Sequence, residues 1–158
     1  MIDNDHGSEF MCFLPSFPLL TYYLSSVTLW AMEKRNTLPI RVTITDCIES
    51  TTTELFNGEA TFDGQTISFD HGSTRYTISK LGKHYLTIDT TGEMSYTLDL
   101  KPQMKLNSEL NVESFTIPIM VNTISMDLSS FYWDVIYTIH QSDALLYHNH
   151  LRIDFLLN

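Results

Sequence analysis

The stretch FYWDVIYTIHQSDALLYHNHLRIDF, residues 131–155, predicts two long β-strands joined by a short turn. Apolar side chains occupy the odd positions of the first strand, from Phe131 to Ile139, and predominate at the odd positions of the second, from Leu145 to Phe155. Alternation of this kind indicates strands with one buried face. The stretch therefore predicts an antiparallel hairpin whose odd-numbered side chains point inward.

The register of this hairpin follows from its two apolar faces. A slip of one residue would turn one apolar set outward, so odd positions must face odd positions. This requirement predicts a three-residue loop, 142–144, with Gln141 opposite Leu145. Asp134 then faces Arg152 on the outer surface, as a charge pair worth up to about 1 kcal/mol.

Similar alternation of apolar and polar residues continues through the chain from about Leu38 to Phe155. Glycines separate the short runs, and most of them follow a residue that favours turns: Asn57-Gly58, Asp63-Gly64, His71-Gly72 and Thr91-Gly92. Such pairs supply the positive φ that tight hairpin turns require. The pattern predicts a meander of short antiparallel strands.

The fold class follows from the number of these runs. No segment after Leu38 has the length and period of a helix, which excludes parallel βαβ architecture. Residues 101–113 are the one long polar stretch, and a loop, a helical turn or an irregular strand would all fit it. A long sheet must curl and close, so we predict an all-β protein: a single antiparallel up-and-down β-barrel of about 8–10 strands.

Composition excludes several classes of function. The chain has 158 residues, with 9 Lys+Arg against 19 Asp+Glu and a formal net charge of −10. Such acidity argues against nucleic-acid binding and against docking on anionic lipid. Only two cysteines are present, and neither lies in a zinc-site spacing, so we expect a reduced, cytoplasmic protein.

Residues 1–31 differ from the rest of the chain. Gly7-Ser8-Glu9-Phe10 resembles the translation of two cloning sites, and Met11–Ala31 carries no charge. The uncharged length would suit a membrane span or a signal peptide, but a basic start is missing and Pro15 and Pro18 interrupt it. A native arm packed on the barrel or on a neighbour is a further alternative. We interpret 1–31 as a leader or over-long start before a β-barrel domain at 32–158, and we do not expect membrane insertion.

Aromatic side chains on the strands would line any cavity inside the barrel. Buried phenol and indole groups need polar partners, which a ligand or trapped water could supply, whereas dense core packing would explain the same residues equally well. The predicted contacts are Phe69, Tyr76, Tyr96, Phe115, Trp133, Tyr137 and Tyr147.

His148 and His150 are weak candidates for metal ligands. Residues two apart on a strand share a face, so both imidazoles could reach one ion. They fall on the outward parity with Arg152 and Asp154, where a third sheltered ligand is not evident. We therefore expect solvated surface histidines, with no metal site and no cofactor. Motifs of hydrolases, nucleotide-binding proteins and zinc proteases are also missing, so we do not expect an enzyme.

The order of features resembles the YwiB-like family of small Gram-positive bacterial proteins. The resemblance lies in a first strand IRVTITDCIES, in FTIPIMVNTISMDL running into Thr123, and in the closing hairpin FYWDVIYTIH with HNHLRIDF. It covers nearly all of 38–156 and implies a calycin-type, lipocalin-like barrel that starts at Met32. The family brings no catalytic residues to carry over.

Two functions are compatible with these features. The first is a cytoplasmic barrel that binds a small, largely apolar ligand in its interior. The alternative is an interaction module that forms a homodimer through a sheet face or a strand edge.

Overall fold

The computed structural model describes residues 36–156, and they form ten β-strands. No helix among them could cross a bilayer. The predicted boundary between residues 31 and 32, and the uncharged stretch before it, lie outside the described residues. The strands are β1 (Asn36–Asp46), β2 (Thr51–Phe62), β3 (Thr66–His71), β4 (Thr74–Gly82), β5 (Tyr85–Thr91), β6 (Met94–Leu100), β7 (Lys105–Val112), β8 (Phe115–Leu128), β9 (Tyr132–Gln141) and β10 (Ala144–Phe155).

The ten strands form a closed antiparallel barrel. Each strand pairs with its neighbours in sequence, and β1 also pairs with β10, where Ile40 faces Phe155 and Asp46 faces Asn149. This confirms the prediction of an up-and-down barrel. The polar stretch 101–113 supplies β7, which pairs along its full length with β8.

Inward side chains from around the barrel form one apolar core. Side chains such as Ile40, Leu86, Leu98 and Ile153 are completely buried. Burial of a side chain of this size stabilises the fold by about 1.5–3 kcal/mol relative to leaving it exposed.

The turns fall at two ends of the barrel with opposite charge. The first, which we call the acidic end, has turns 47–50, 72–73, 92–93, 113–114 and 142–143, and its acidic turn residues are Glu49, Glu93, Glu113 and Asp143. The other, which we call the lysine end, has turns 63–65, 83–84, 101–104 and 129–131. All four lysines among residues 36–156 lie there: Lys80, Lys83, Lys101 and Lys105.

The predicted register of the β9–β10 hairpin is confirmed along most of its length. Asp134 faces Arg152, and the Arg152 Nη1 atom lies 3.1 Å from Asp134 Oδ2. Trp133 faces Ile153 on the inner side.

The predicted three-residue loop is wrong. Gln141 pairs with Ala144, so the turn has two residues, of which Ser142 has a φ of 53°. Next to this turn an odd position faces an even one, because Leu145 faces His140. A bulge at Leu146 shifts the register by one residue, so that Tyr147 faces Ile139 and odd positions face odd positions from there on. The extra residue lies inside the strand instead of in the turn.

The turn predicted at Asn57-Gly58 is also wrong, because both residues lie within β2. The first turn comes earlier, at residues 47–50. The Asp46 carboxylate caps it by accepting hydrogen bonds from the backbone N–H groups of Ile48 (2.8 Å) and Glu49 (3.2 Å). A side chain that satisfies its own turn favours reversal of the chain there.

Two seams of the barrel have few hydrogen-bonded pairs. β2 and β3 pair only at Thr61↔Ser68 and Phe62↔Ile67, near the lysine end, and β6 and β7 pair at only three positions. Aromatic rings bridge the first seam: the Phe69 ring lies 5.0 Å from that of Phe56. Side-chain packing therefore holds the barrel together where the backbone ladder is short.

Candidate ligand-binding site

Two cavities lie among the inward side chains towards the acidic end. The inner cavity has a volume of about 150 Å³ and is lined by Ile44, Leu55, Tyr76, Ile78, Ile88, Tyr96, Tyr137 and Leu151. The outer cavity has a volume of about 180 Å³ and is lined by Met94, Tyr96, Leu110, Ile119, Tyr137, Ile139, Leu146, Tyr147 and Asn149. Tyr96 and Tyr137 line both, so the two cavities meet at these phenol rings.

Larger hollows at β7 lie on the outside of the barrel. One of about 660 Å³ is lined by residues of β7 and β8, such as Asn107, Glu109 and Pro118, all of which are exposed. Polar groups form a larger share of its surface than of the surface of the two interior cavities, whereas small-molecule sites are concave and mostly apolar. The interior cavities therefore fit the properties of a ligand site better than this groove does.

The phenols between the cavities are neutral at physiological pH. Burial raises the pKa of Tyr137 to about 12, although a hydrogen bond from the Asn149 side chain opposes this rise. Burial also raises the pKa of Tyr96, and the neighbouring phenols of Tyr137 and Tyr76 add to the effect. Burial raises the pKa of Tyr76 in the same direction. Each hydroxyl can therefore both donate and accept a hydrogen bond.

Neighbouring strands fix the positions of these tyrosines. Tyr96 faces Thr90 of β5, whose hydroxyl oxygen accepts a hydrogen bond from the Tyr96 backbone N–H at 3.1 Å. Tyr137 lies between Asn149 of β10 and Thr123 of β8. The Thr123 side chain is 2% exposed, and its hydroxyl is the one fully buried side-chain polar group among residues 36–156 without a hydrogen-bond partner.

Four of the seven predicted contact residues line the cavities: Tyr76, Tyr96, Tyr137 and Tyr147. Tyr147 is at the mouth of the outer cavity and is 47% exposed. Phe69 packs behind Tyr76 in the core without lining either cavity. Trp133 is buried but lies near the lysine end, away from the tyrosines.

The interior position predicted for Phe115 is wrong. Its side chain is 72% exposed. Phe115 has the inward parity of Ile117, but it is the first residue of β8, directly after the 113–114 turn, so it lies beyond the rim of the barrel. Parity alone does not show where along its axis the barrel ends.

Strand alternation missed lining residues that lie at bulges. Leu146 and Leu55 reach the core from positions where one strand has an extra residue, opposite β9 and β1 respectively. A bulge interrupts the period of two, so alternation assigns such residues to the wrong face. Asn149 has the correct inward parity, but it is polar, whereas the predicted lining residues are all aromatic.

The two histidines lie on the outer surface, as their parity predicts. His150 Nε2 lies 2.9 Å from Asp134 Oδ2, whereas His148 faces Thr138 on the neighbouring strand. Within residues 36–156, no three His, Cys, Asp or Glu side chains are grouped so that they could hold a metal ion.

An ionic network continues from this histidine towards the lysine end. Asp154 accepts hydrogen bonds from Arg41 Nη2 at 3.0 Å and from Arg152 Nε at 2.8 Å. Arg152 in turn reaches Asp134 and stacks on the Tyr132 ring, 4.7 Å from its centroid. The network joins β1, β10 and β9 on the outside of the barrel, away from the cavities.

Comparisons with known proteins identify a structural relative. No protein-family model and no curated protein matches the chain. A crystal structure of the ywiB protein from Bacillus subtilis matches with a TM-score of 0.54 and 13% sequence identity, over 77% of this chain and 91% of that chain. The two proteins share a fold. The resemblance to YwiB-like proteins is therefore confirmed for the architecture of the barrel, and the likeness at this identity concerns the fold alone.

Proposed function

We propose that this YwiB-like barrel binds a small, largely apolar molecule that carries a hydrogen-bonding group. The observation that supports this function is the pair of cavities that meet at Tyr96 and Tyr137. Aliphatic side chains provide most of the lining, and the phenols, with Asn149, provide a few polar groups. Small-molecule sites combine these two features, because apolar walls give affinity and a few polar groups fix orientation.

Cavity size limits the ligand. Small-molecule sites usually measure about 300–1,000 Å³, and each cavity alone is smaller than that range. Both cavities are lined by Tyr96 and Tyr137, so we propose a ligand that contacts these two residues and uses the space of both cavities. The ligand class is therefore a molecule with a single or a fused ring.

The lining also favours an uncharged ligand. Burial keeps the phenols of Tyr76, Tyr96 and Tyr137 neutral, and neither cavity is lined by an acidic or a basic side chain. A charged guest would lose its hydration without meeting an opposite charge, which is costly in an apolar site. We propose a binding protein of the calycin type that acts in the cytoplasm, and not an enzyme.

Indole and indene test this proposal as a matched pair. They have the same fused-ring shape, but only indole carries an N–H donor. We expect both to shift the backbone amide signals of residues around Tyr96 and Tyr137 in nitrogen–proton NMR spectra. Indole should bind about 5–10-fold more tightly, because one net hydrogen bond contributes about 1 kcal/mol.

Two phenylalanine substitutions provide the control. Ile88→Phe places a larger side chain at the inner cavity, where Ile88 is 3% exposed, and should weaken indole binding at least tenfold. Ile124→Phe makes the same change at a 50% exposed position and should leave binding unchanged. Signal shifts that fail to saturate, or that are equal in the two variants, would contradict the proposed site.

A second function, dimerisation through a strand edge, is favoured by the seam between β2 and β3. Beyond Thr61, no described residue pairs with β2 on its β3 side, so residues 51–60 offer an edge that is free of described partners. Free edges recruit further strands. In a two-fold pairing centred on residues 56–57, Glu54 of each copy would face Glu59 of the other, and this repulsion would be screened by salt.

Light scattering tests this second function, because it should show a fraction of dimer that increases with salt concentration. A monomer across micromolar concentrations at low and high salt would exclude this function.

A further inference from the structure

A third, larger cavity opens at the lysine end, away from Tyr96 and Tyr137. Its volume is about 440 Å³, and it is lined by Leu38, Phe62, Gly64, Lys80, Ser129, Ser130, Trp133 and Phe155. Its aromatic wall is well packed: the Trp133 ring meets that of Phe155 edge-on at 5.4 Å, and the Phe62 ring lies 5.9 Å from that of Phe155. This size is within the usual range for small-molecule sites.

Lys80 is the charged residue of this cavity, and it has the inward parity of its strand. Ile78, two residues earlier on β4, is 1% exposed, and Lys80 itself pairs with the buried Leu86. The Lys80 Nζ atom donates a hydrogen bond to the backbone oxygen of Leu128 at 2.9 Å. Since β4 and β8 are four places apart in the ten-strand ring, the lysine side chain reaches across the mouth of the barrel.

The charge of Lys80 has no carboxylate partner among residues 36–156. The one carboxylate in the neighbouring turn, Asp63, accepts hydrogen bonds from the backbone N–H groups of Gln65 (3.0 Å) and Thr66 (2.7 Å). An ammonium group has three donors, and the Leu128 carbonyl uses one of them. A partly buried charge loses hydration, which is costly unless an opposite charge pairs with it.

The distribution of charge over the whole barrel favours an anion at this end. Lys83, Lys101 and Lys105 surround the same end, while four of the five acidic turn residues among residues 36–156 lie at the other end, and Asp63 is the exception. Asp99, the nearest acid to Lys101 in sequence, accepts a hydrogen bond from the Tyr85 hydroxyl at 2.6 Å. Clustered charge of one sign raises the local concentration of ligands of the opposite sign.

We propose that the lysine-end cavity binds a small organic carboxylate with an apolar body. The carboxylate pairs with the free donors of Lys80, and Ser130 on the same rim offers a hydroxyl. The apolar body packs on Trp133, Phe155 and Phe62. This site is separate from the tyrosine-lined cavities and does not depend on the function proposed for them.

Octanoate and octan-1-ol, which share a chain length but differ in charge, test this proposal. The chain has two tryptophans, so the variant Trp30→Phe leaves Trp133 as the only indole fluorophore. In that background, octanoate should change the Trp133 emission with a saturable curve. Octanoate should bind at least tenfold more tightly than octanol, because a charge-assisted hydrogen bond to lysine contributes only with the carboxylate.

Substitutions of two lysines provide the matched control. Lys80→Met keeps the aliphatic stem and removes the charge, so the affinity for octanoate should fall about tenfold while that for octanol stays the same. Lys83→Met removes a charge at the same end but outside the cavity and should change either affinity less than threefold. If Lys80→Met does not fold, Lys80→Arg keeps the charge and should keep the preference for octanoate. Equal affinities for octanoate and octanol in the parent protein, or loss of octanoate binding in Lys83→Met alone, would overturn the proposal.

Discussion

The rings of Phe69 and Tyr76 are stacked, with centroids 5.1 Å apart and planes only 6° from parallel. Phe69 also contacts Phe56 across the seam between β2 and β3, where few backbone hydrogen bonds exist. This row of three rings therefore closes the barrel beside the inner cavity. Tyr76, which lines that cavity, is held in place by the row.

Removal of the central ring should destabilise the barrel strongly. Phe69 is 4% exposed, so Phe69→Ala should lower the free energy of unfolding by about 3–5 kcal/mol. Phe115→Ala removes the same group from a 72% exposed position and should change it by less than about 0.5 kcal/mol. Urea denaturation of the two variants compares these values. Equal losses would show that Phe115 belongs to the core, as its parity alone predicts.

The bulge in β10 makes two adjacent leucines unequal. Leu146 packs against the core, whereas Leu145 is 46% exposed. Leu146→Ala should therefore cost about 2 kcal/mol of unfolding free energy, and Leu145→Ala less than about 0.5 kcal/mol. Thermal or urea unfolding can rank them. A larger loss for Leu145→Ala than for Leu146→Ala would contradict the bulge and support a three-residue loop with Gln141 opposite Leu145.

The buried hydroxyl of Thr123 should be dispensable for stability. Thr123→Val keeps the shape and removes an unsatisfied polar group, so stability should stay the same or rise by about 1 kcal/mol. The matched control is Thr90→Val, because the Thr90 hydroxyl accepts a hydrogen bond from the Tyr96 backbone and lies at a 3% exposed position. That variant should lose about 1–3 kcal/mol in the same urea titration. A loss at Thr123 as large as the loss at Thr90 would reveal a partner for the Thr123 hydroxyl.

The ionic network should make stability depend on pH through Asp154. Burial opposes ionisation of this carboxyl group, but hydrogen bonds from Arg41 and Arg152 outweigh it, so its pKa lies below the ordinary value. A lowered pKa in the folded state stabilises the fold above the unfolded pKa of about 4, and this contribution disappears as pH falls through the folded value.

Asp154→Asn tests that dependence. The variant should be less stable than the parent by about 1 kcal/mol at pH 7, because the arginines are half exposed and solvent screens the pair. The difference should shrink as the pH falls below about 4, because Asp154 of the unfolded parent then takes up a proton at a higher pH than Asp154 of the folded parent. Asp143→Asn, in an exposed turn, serves as the control. A gap between parent and Asp154→Asn that stays constant down to low pH would rule out this ion pair as its cause.

Much of the fold was predictable because an antiparallel barrel imposes a period of two on nearly every strand. Parity predicts that the side chains of Tyr96, Tyr137 and Trp133 point into the barrel. Parity also placed Asp134 opposite Arg152. These predictions depend only on which face of a strand is buried.

The errors arose where one residue interrupts that period. Ser142 adopts a positive φ and closes a two-residue turn, which moves the extra residue to Leu146. Asp46 caps the first turn with its own side chain, so the strand runs through Asn57-Gly58. The alternative turns in each case differ little in free energy, and the alternation of apolar and polar residues does not show which turn forms. The sequence does not indicate the cavity at Lys80 for a different reason. A lysine at an inward position suggests that the buried part of the strand has ended, so alternation does not predict a cavity there.

Contacts between indole protons and the rings of Tyr96 and Tyr137 would show whether a ligand binds where the two cavities meet. Nuclear Overhauser effects measured on the complex report protons that lie within a few ångströms of one another. We expect contacts from one indole molecule to ring protons of both Tyr96 and Tyr137, and we expect these contacts to be lost in Ile88→Phe. A saturated complex in which indole contacts neither tyrosine, or in which it contacts only outward rings such as Tyr132, would contradict it.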